Sequence, residues 1–276
     1  MKQLGLIFAG CLCACGPASR GNAALDARGG GDGGAIDAPT VVTVPPDAAA
    51  TGPVDVIITA DNAYSFGYGD STHMMHFTQG TRATSSGDIF NCPVGVGPEH
   101  YTVAEADAPP GAYLYIASWD DHAVTQGVIG QFARNAGTVT TGQAPFEVCA
   151  TGLDYVTGPD GTNGPSQAII DQQIAICNAG TGDPITTSKG WVSATGATTA
   201  GAIGLLAVGE ANDDSGGSFP IACASTATAI GISPAAKWLW YDPQDGQAGD
   251  PFHSTGTNRF KAFLLFRLAA DSIVIQ

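Results

Sequence analysis

Several groups of residues in this chain of 276 are of types and spacings that can do chemistry. In the turn Trp119, Asp120, Asp121, His122, two carboxylates and an imidazole follow an apolar run. Calcium takes about six to eight oxygen ligands, so Asp120 and Asp121 are candidates for part of a structural calcium site. The competing expectation is a solvated turn in which one aspartate bonds its own backbone. Trp238 and Trp240 alternate with Leu239 and Tyr241, which puts both indoles on one face of a strand. Trp119 and Trp191 each stand beside a turn. Exposed, these four rings would stack on a sugar; buried, they would supply core area. His73 and His76 in THMMHF suit metal ligation on a helix, whereas on a strand they point to opposite faces.

Two further blocks, GYGDSTH at 67–73 and DPFH at 250–253, combine Gly-Asp-Ser with a later Asp-x-x-His. Together they are similar to the first and last blocks of GDS-type serine hydrolases. That resemblance implies Ser71 as nucleophile, His253 as general base and Asp250 as its orienting partner. Asn212 in GEAND would belong to the intermediate block but is one position out of register. The resembled family has an α/β fold, while this chain is β-textured, so hydrolysis ranks below binding.

The N-terminus, MKQLGLIFAGCLCAC, carries one lysine, an apolar run and small residues beside cysteine, the layout of a signal peptide. The run is shorter than the ~20 residues that span a bilayer. Leu12-Cys13-Ala14-Cys15 resembles the lipobox of bacterial lipoproteins, which implies lipidation at Cys15, with Cys11 the alternative. Residues 1–15 are therefore expected to export and tether the chain. Residues 16–53 are Gly, Ala, Asp and Pro with almost no large apolar side chain, a disordered linker.

Beyond the leader remain Cys92, Cys149, Cys177 and Cys223. An even number in an exported chain favours two disulfides. Three pairings are open, of which Cys149 with Cys177 and Cys92 with Cys223 is the expected one. The formal charge of −15 with only ten Lys plus Arg excludes a phosphate-backbone partner and disfavours anionic membrane surfaces. Membrane contact is expected only through the lipid.

The elements that must position these residues lie in 54–276. Short runs such as VDVIITA, AYSFGYG, DIFNC, YLYIASW, GVIGQF, KWLWY and FKAFLLFRL alternate with turn residues and read as about ten strands. That number predicts a mostly β fold, a β-sandwich or jelly roll. One inserted helix is predicted at Ser166–Cys177: Ser166 can cap it, and Ile169, Ile170, Ile174 and Cys177 recur at helical spacing. TADNAYSFGYG, YLYIASWDDHAVTQGVIGQF, KWLWY and FLLFR resemble, in order and texture, the galactose-binding-like jelly roll. The resemblance implies an accessory domain of the kind found in glycan-active and cell-surface proteins, and loops at one end of the sandwich are expected to make the contacts. The expected function is an exported, lipid-anchored, non-catalytic module for a neutral glycan or a cell-surface component. A structural or assembly subunit of the cell envelope, with the sandwich self-associating, is the alternative; an exported hydrolase is the third. No cofactor is called for beyond the candidate calcium.

Overall fold

The computed structural model describes residues 51–61, 63–78, 85–92, 99–119, 125–135, 137–143, 145–151, 153, 164–180, 190–224, 231–244, 249–253 and 263–274. Every described residue belongs to one compact unit, Pro45–Gln276. The expected leader, with Cys11 and Cys15, lies outside the described residues, as do Asp120 and Asp121.

The described part is a β-sandwich. Its elements in order are β1 (Val54–Asp61), β2 (Ala63–Gly69), β3 (Met74–Thr78), α1 (Ser86–Phe90), β4 (His100–Val103), β5 (Tyr113–Trp119), β6 (Gly127–Arg134), β7 (Gly137–Thr140), β8 (Glu147–Ala150), α2 (Gln167–Ala179), β9 (Val192–Ser193), β10 (Gly196–Ala197), β11 (Leu205–Ala211), β12 (Lys237–Asp242) and β13 (Phe263–Ala269). One sheet runs β11-β12-β6-β1-β4, with β7 also on β6; the other runs β10-β9-β8-β13-β5-β2-β3. All the strand pairs are antiparallel.

Strand periodicity explains the layers. Val56 and Ile58 on β1, Phe66 on β2, Leu114 and Ile116 on β5, and Leu264 and Phe266 on β13 all enter the core between the sheets. Their neighbours Tyr115, Ala117, Phe263 and Leu265 turn to the opposite face of the larger sheet, where they meet Ile170, Ile174 and Cys177 of α2. The central strands are thus buried on both faces, so FLLFRL reads as a continuous apolar run rather than an alternating one.

α2 begins where its signals place it. Ser166 is the N-cap and its Oγ accepts from the Ile169 amide at 3.4 Å. Gly180 ends the helix in the left-handed region at φ 67°. DIFNC, expected as a strand, folds instead into the end of the short helix α1. Ser85 and Asp88 form a reciprocal capping box there, which satisfies amides a strand would have left to a neighbour. Two disulfides are formed, Cys92–Cys223 with Cα atoms 4.5 Å apart and Cys149–Cys177 at 6.1 Å. The second staples α2 to β8.

Candidate functional site

The four tryptophans do not form a stacking platform. Trp119, Trp191, Trp238 and Trp240 are each at most 1 % exposed. Trp238 and Trp240 do share a face, but it is the inner one: Trp238 stacks on Phe219 at 4.2 Å and Trp240 lies 6.2 Å from Phe266. The Trp191 indole N–H donates to Asn178 Oδ1 at 2.8 Å, and Arg267 covers its ring at 3.9 Å. Gly164 lets the backbone approach Trp119 so closely that a Cβ would fall 2.4 Å from the indole. Burying an indole of ~200 Å² at ~25 cal/mol per Å² is worth about 5 kcal/mol, far more than a stacking contact returns, so the core takes them.

Nor do Ser71, Asp250 and His253 converge. Asp250 Oδ2 and His253 Nδ1 do pair, at 2.7 Å. The segment carrying them joins Thr125 through a backbone bridge, and Thr125 Oγ1 donates to Asp61 Oδ2 at 2.6 Å at the end of β1. Ser71 follows the far end of β2. The intervening strand, at ~3.3 Å per residue, holds nucleophile and base roughly 20 Å apart, well beyond the hydrogen-bond reach a general base requires. The Gly-Asp-Ser block has a different task. Asp70 Oδ1 accepts from the amides of Thr72 (2.7 Å) and His73 (2.9 Å) and from the Thr72 hydroxyl (2.6 Å), closing a side-chain-bonded turn between β2 and β3. The Thr72 hydroxyl and these amides hold the Asp70 carboxyl below its ordinary value. Asn212 is also structural: it is buried, accepts from the Ala222 amide and donates to the carbonyls of Ala222 and Ile232. His73 and His76 take separate partners, Thr72 for the first and the Tyr68 ring and Asp107 for the second.

Two cavities flank β11, the edge strand of the smaller sheet. One, of about 430 Å³, is lined by Glu210, Asp242, Asp250, His253, Phe219 and Phe252 among others. Its acids are spoken for locally. Glu210 accepts from the amides of Ser218 and Phe219, Asp242 from the Gln244 amide at 2.9 Å, and Asp250 from the Phe252 amide at 2.9 Å as well as His253.

The other cavity, of about 390 Å³, opens where β11 faces β8 and β9 of the larger sheet. Tyr113, Phe146, Leu206 and Val208 give it hydrocarbon walls, while Gln143, Ser193, Thr195 and Thr198 place amide and hydroxyl groups along it. Glu147 is the acid in its wall, and its Oε2 accepts from Arg267 Nε at 2.5 Å. Arg267 in turn sits over the Tyr113 ring at 4.9 Å and donates from Nη1 to Asn178 Oδ1 at 3.2 Å. The wall therefore carries no uncompensated charge among the described residues. An apolar hollow of a few hundred Å³ with a few polar groups is the usual form of a small-molecule site. The sequence held one signal for it that composition obscures: Arg267 is a lone cation inside the apolar run FLLFRL.

Comparison of the chain with profiles of known protein families, with curated proteins and with solved structures finds no match.

Proposed function

We propose that the chain is an exported, lipid-anchored, non-catalytic binding module of the bacterial envelope, and that its ligand is a small neutral molecule, a glycan unit or another amphipathic envelope component, held in the cavity beside β11. The observation that carries this reading is the neutralised wall: Glu147 is paired with Arg267, so neither an anion nor a cation would find a free countercharge there. Tyr113 is the ring available to a sugar face, in place of the four buried tryptophans. The galactose-binding-like texture of the sequence points the same way. The two disulfides support an oxidising compartment, and Leu12 to Cys15 supports the tether.

The test is calorimetric titration of the mature chain with a panel of neutral glycans and small amphipathic molecules, beside the variant Ala194→Trp, which plugs the cavity at an exposed position. Binding by the native chain that the variant loses is the expected result. A blank panel, or binding the plug leaves unchanged, overturns the assignment. Mass spectrometry of membrane-extracted protein is expected to find the lipid on Cys15, and an unmodified Cys15 overturns the tether. The assembly-subunit reading gains from the burial of the tryptophans, since no ring platform is left for ligand. It requires a concentration-dependent oligomer in light scattering, which a binding module does not.

A further inference from the structure

Cys92 lies just beyond α1 and is half-buried, whereas Cys223 is 1 % exposed. Cys223 is held rigidly: its backbone is left-handed at φ 50°, its amide donates to the Phe90 carbonyl at 2.6 Å and its carbonyl accepts from the Ile232 amide at 2.8 Å. Glu99, immediately before β4, completes the group. A carboxylate oxygen of Glu99 and the two sulfurs all lie within 4.8 Å of one another. Glu99 is 5 % exposed, and its Oε2 has no hydrogen-bond partner. A buried carboxyl left unpartnered is costly and calls for a reason.

We propose that Cys92–Cys223 is a reducible pair built for exchange with a dithiol, and that Glu99 is its acid–base group. A thiolate of the dithiol attacks the sulfur of the half-buried Cys92, the Cys92–Cys223 bond breaks, and the electron pair leaves on the Cys223 sulfur. Glu99 passes its proton to that sulfur, so a thiol rather than a thiolate forms in the apolar surroundings. The second thiol of the reagent then displaces Cys92 from the mixed disulfide, leaving two protein thiols, a Glu99 carboxylate that reprotonates from solvent, and the oxidised reagent. Oxidation runs the same steps backward.

Burial, with Asp88 adding to it, pushes the Glu99 carboxyl up to about 7, where it can both give and take a proton near neutrality. Among the described residues, the titratable groups that interact with Glu99 are Asp88 on α1, Tyr101 on β4 and Tyr64 on β2. Tyr101 is pushed to about 12 by burial, and burial drives Tyr64 well above its ordinary value, so both phenols stay neutral through the working range. The other pair differs in access, with Cys149 and Cys177 both 1 % exposed.

The test is the rate at which dithiothreitol reduces each pair in the oxidised full chain between about pH 5.5 and 9, read by thiol-trapping mass spectrometry and normalised to reagent thiolate. Cys92–Cys223 is expected to react at least about tenfold faster than Cys149–Cys177, with a normalised rate that falls as pH rises through about 7. Glu99→Gln should remove that pH step and slow this pair about tenfold below pH 7, while Glu99→Asp retains the step. The proposal is overturned if the two pairs react alike, if Glu99→Gln leaves the profile unchanged, or if it slows both pairs equally, which a merely structural role would produce.

Discussion

Arg134 offers the sharpest test of how the sandwich is locked. The side chain ends β6 and is 3 % exposed, yet its partners are three neutral carbonyls: Nε donates to Gly52 at 3.0 Å, Nη2 to Ala108 at 2.9 Å and Nη1 to Ala270 at 3.3 Å. These belong to the bend preceding β1, the loop before β5 and the turn after β13, so one guanidinium ties together three segments far apart in sequence. Arg134→Met keeps the length of the stem and removes every donor. Water can reach the partly buried Gly52 carbonyl, but Ala108 and Ala270 are fully buried. Each stranded carbonyl costs ~1–3 kcal/mol, and releasing the desolvated cation returns part of that, leaving a net loss of about 3 kcal/mol. Arg134→Lys, with one point of charge in place of a planar fork, should lose about half as much. Urea denaturation followed by tryptophan fluorescence is well suited, because all four indoles pass from core to water on unfolding. A loss under about 1 kcal/mol with an unchanged denaturant slope would refute the clamp.

Three further outcomes are expected. Glu99 should make stability fall with pH: the folded state holds its proton up to about 7 while the unfolded chain releases it near 4.5, so the folded state binds more protons in that window. Relative to Glu99→Gln, the native chain should lose up to about 3 kcal/mol between pH 4.5 and 7 and change little above, and parallel denaturation midpoints across that range would contradict it. Replacing cysteine pairs with serine should cost about 5 kcal/mol for Cys92–Cys223, which spans 131 residues, against about 3.5 for Cys149–Cys177, which spans 28, if unfolded-chain entropy dominates; calorimetric melting that reverses the order would show that it does not. Asn178→Ala should cost about 2 kcal/mol, since Asn178 bonds the Trp191 indole, Arg267 and the Ser71 carbonyl at once. Thermal unfolding within a degree of the native chain would count against that network.

The elements legible in the sequence were those whose signals are local. The helix α2 was readable because Ser166, the isoleucine spacing and the terminating glycine all lie within one segment. The strands YLYIASW and KWLWY were readable from aromatic and β-branched content at strand length. DIFNC is ambiguous as sequence because the apolar pair Ile89–Phe90 cannot tell strand from helix, and the deciding signal is the box that Asp88 forms with Ser85. The site was less legible than the fold. Whether Trp238 faces solvent or the opposite sheet depends on a pairing between β12 and β6 that no neighbouring residue announces. Ser71 and His253 failed for the same reason: both local blocks form ordered, hydrogen-bonded structures, but nothing in either states which end of the sandwich it occupies.

That dependence on topology also bears on the proposed binding site. The larger sheet is packed on one face against the smaller sheet and on the other against α2, with Cys149–Cys177 holding the helix down. A face covered on both sides offers no surface, so the aromatic strands at its centre are committed to stability. Space remains at the margin of the sheets, where β11 and the residues around β9 line a hollow with Tyr113 and Leu206. Behind its wall Arg267 takes two roles. It neutralises Glu147 in the wall and caps the Trp191 ring beneath, so the polarity of the cavity and the packing of the helix layer are set by the same guanidinium. If the hollow binds as proposed, a substitution at Arg267 should disturb ligand preference and stability together, while Ala194→Trp, on the exposed side of the hollow, should disturb only the first.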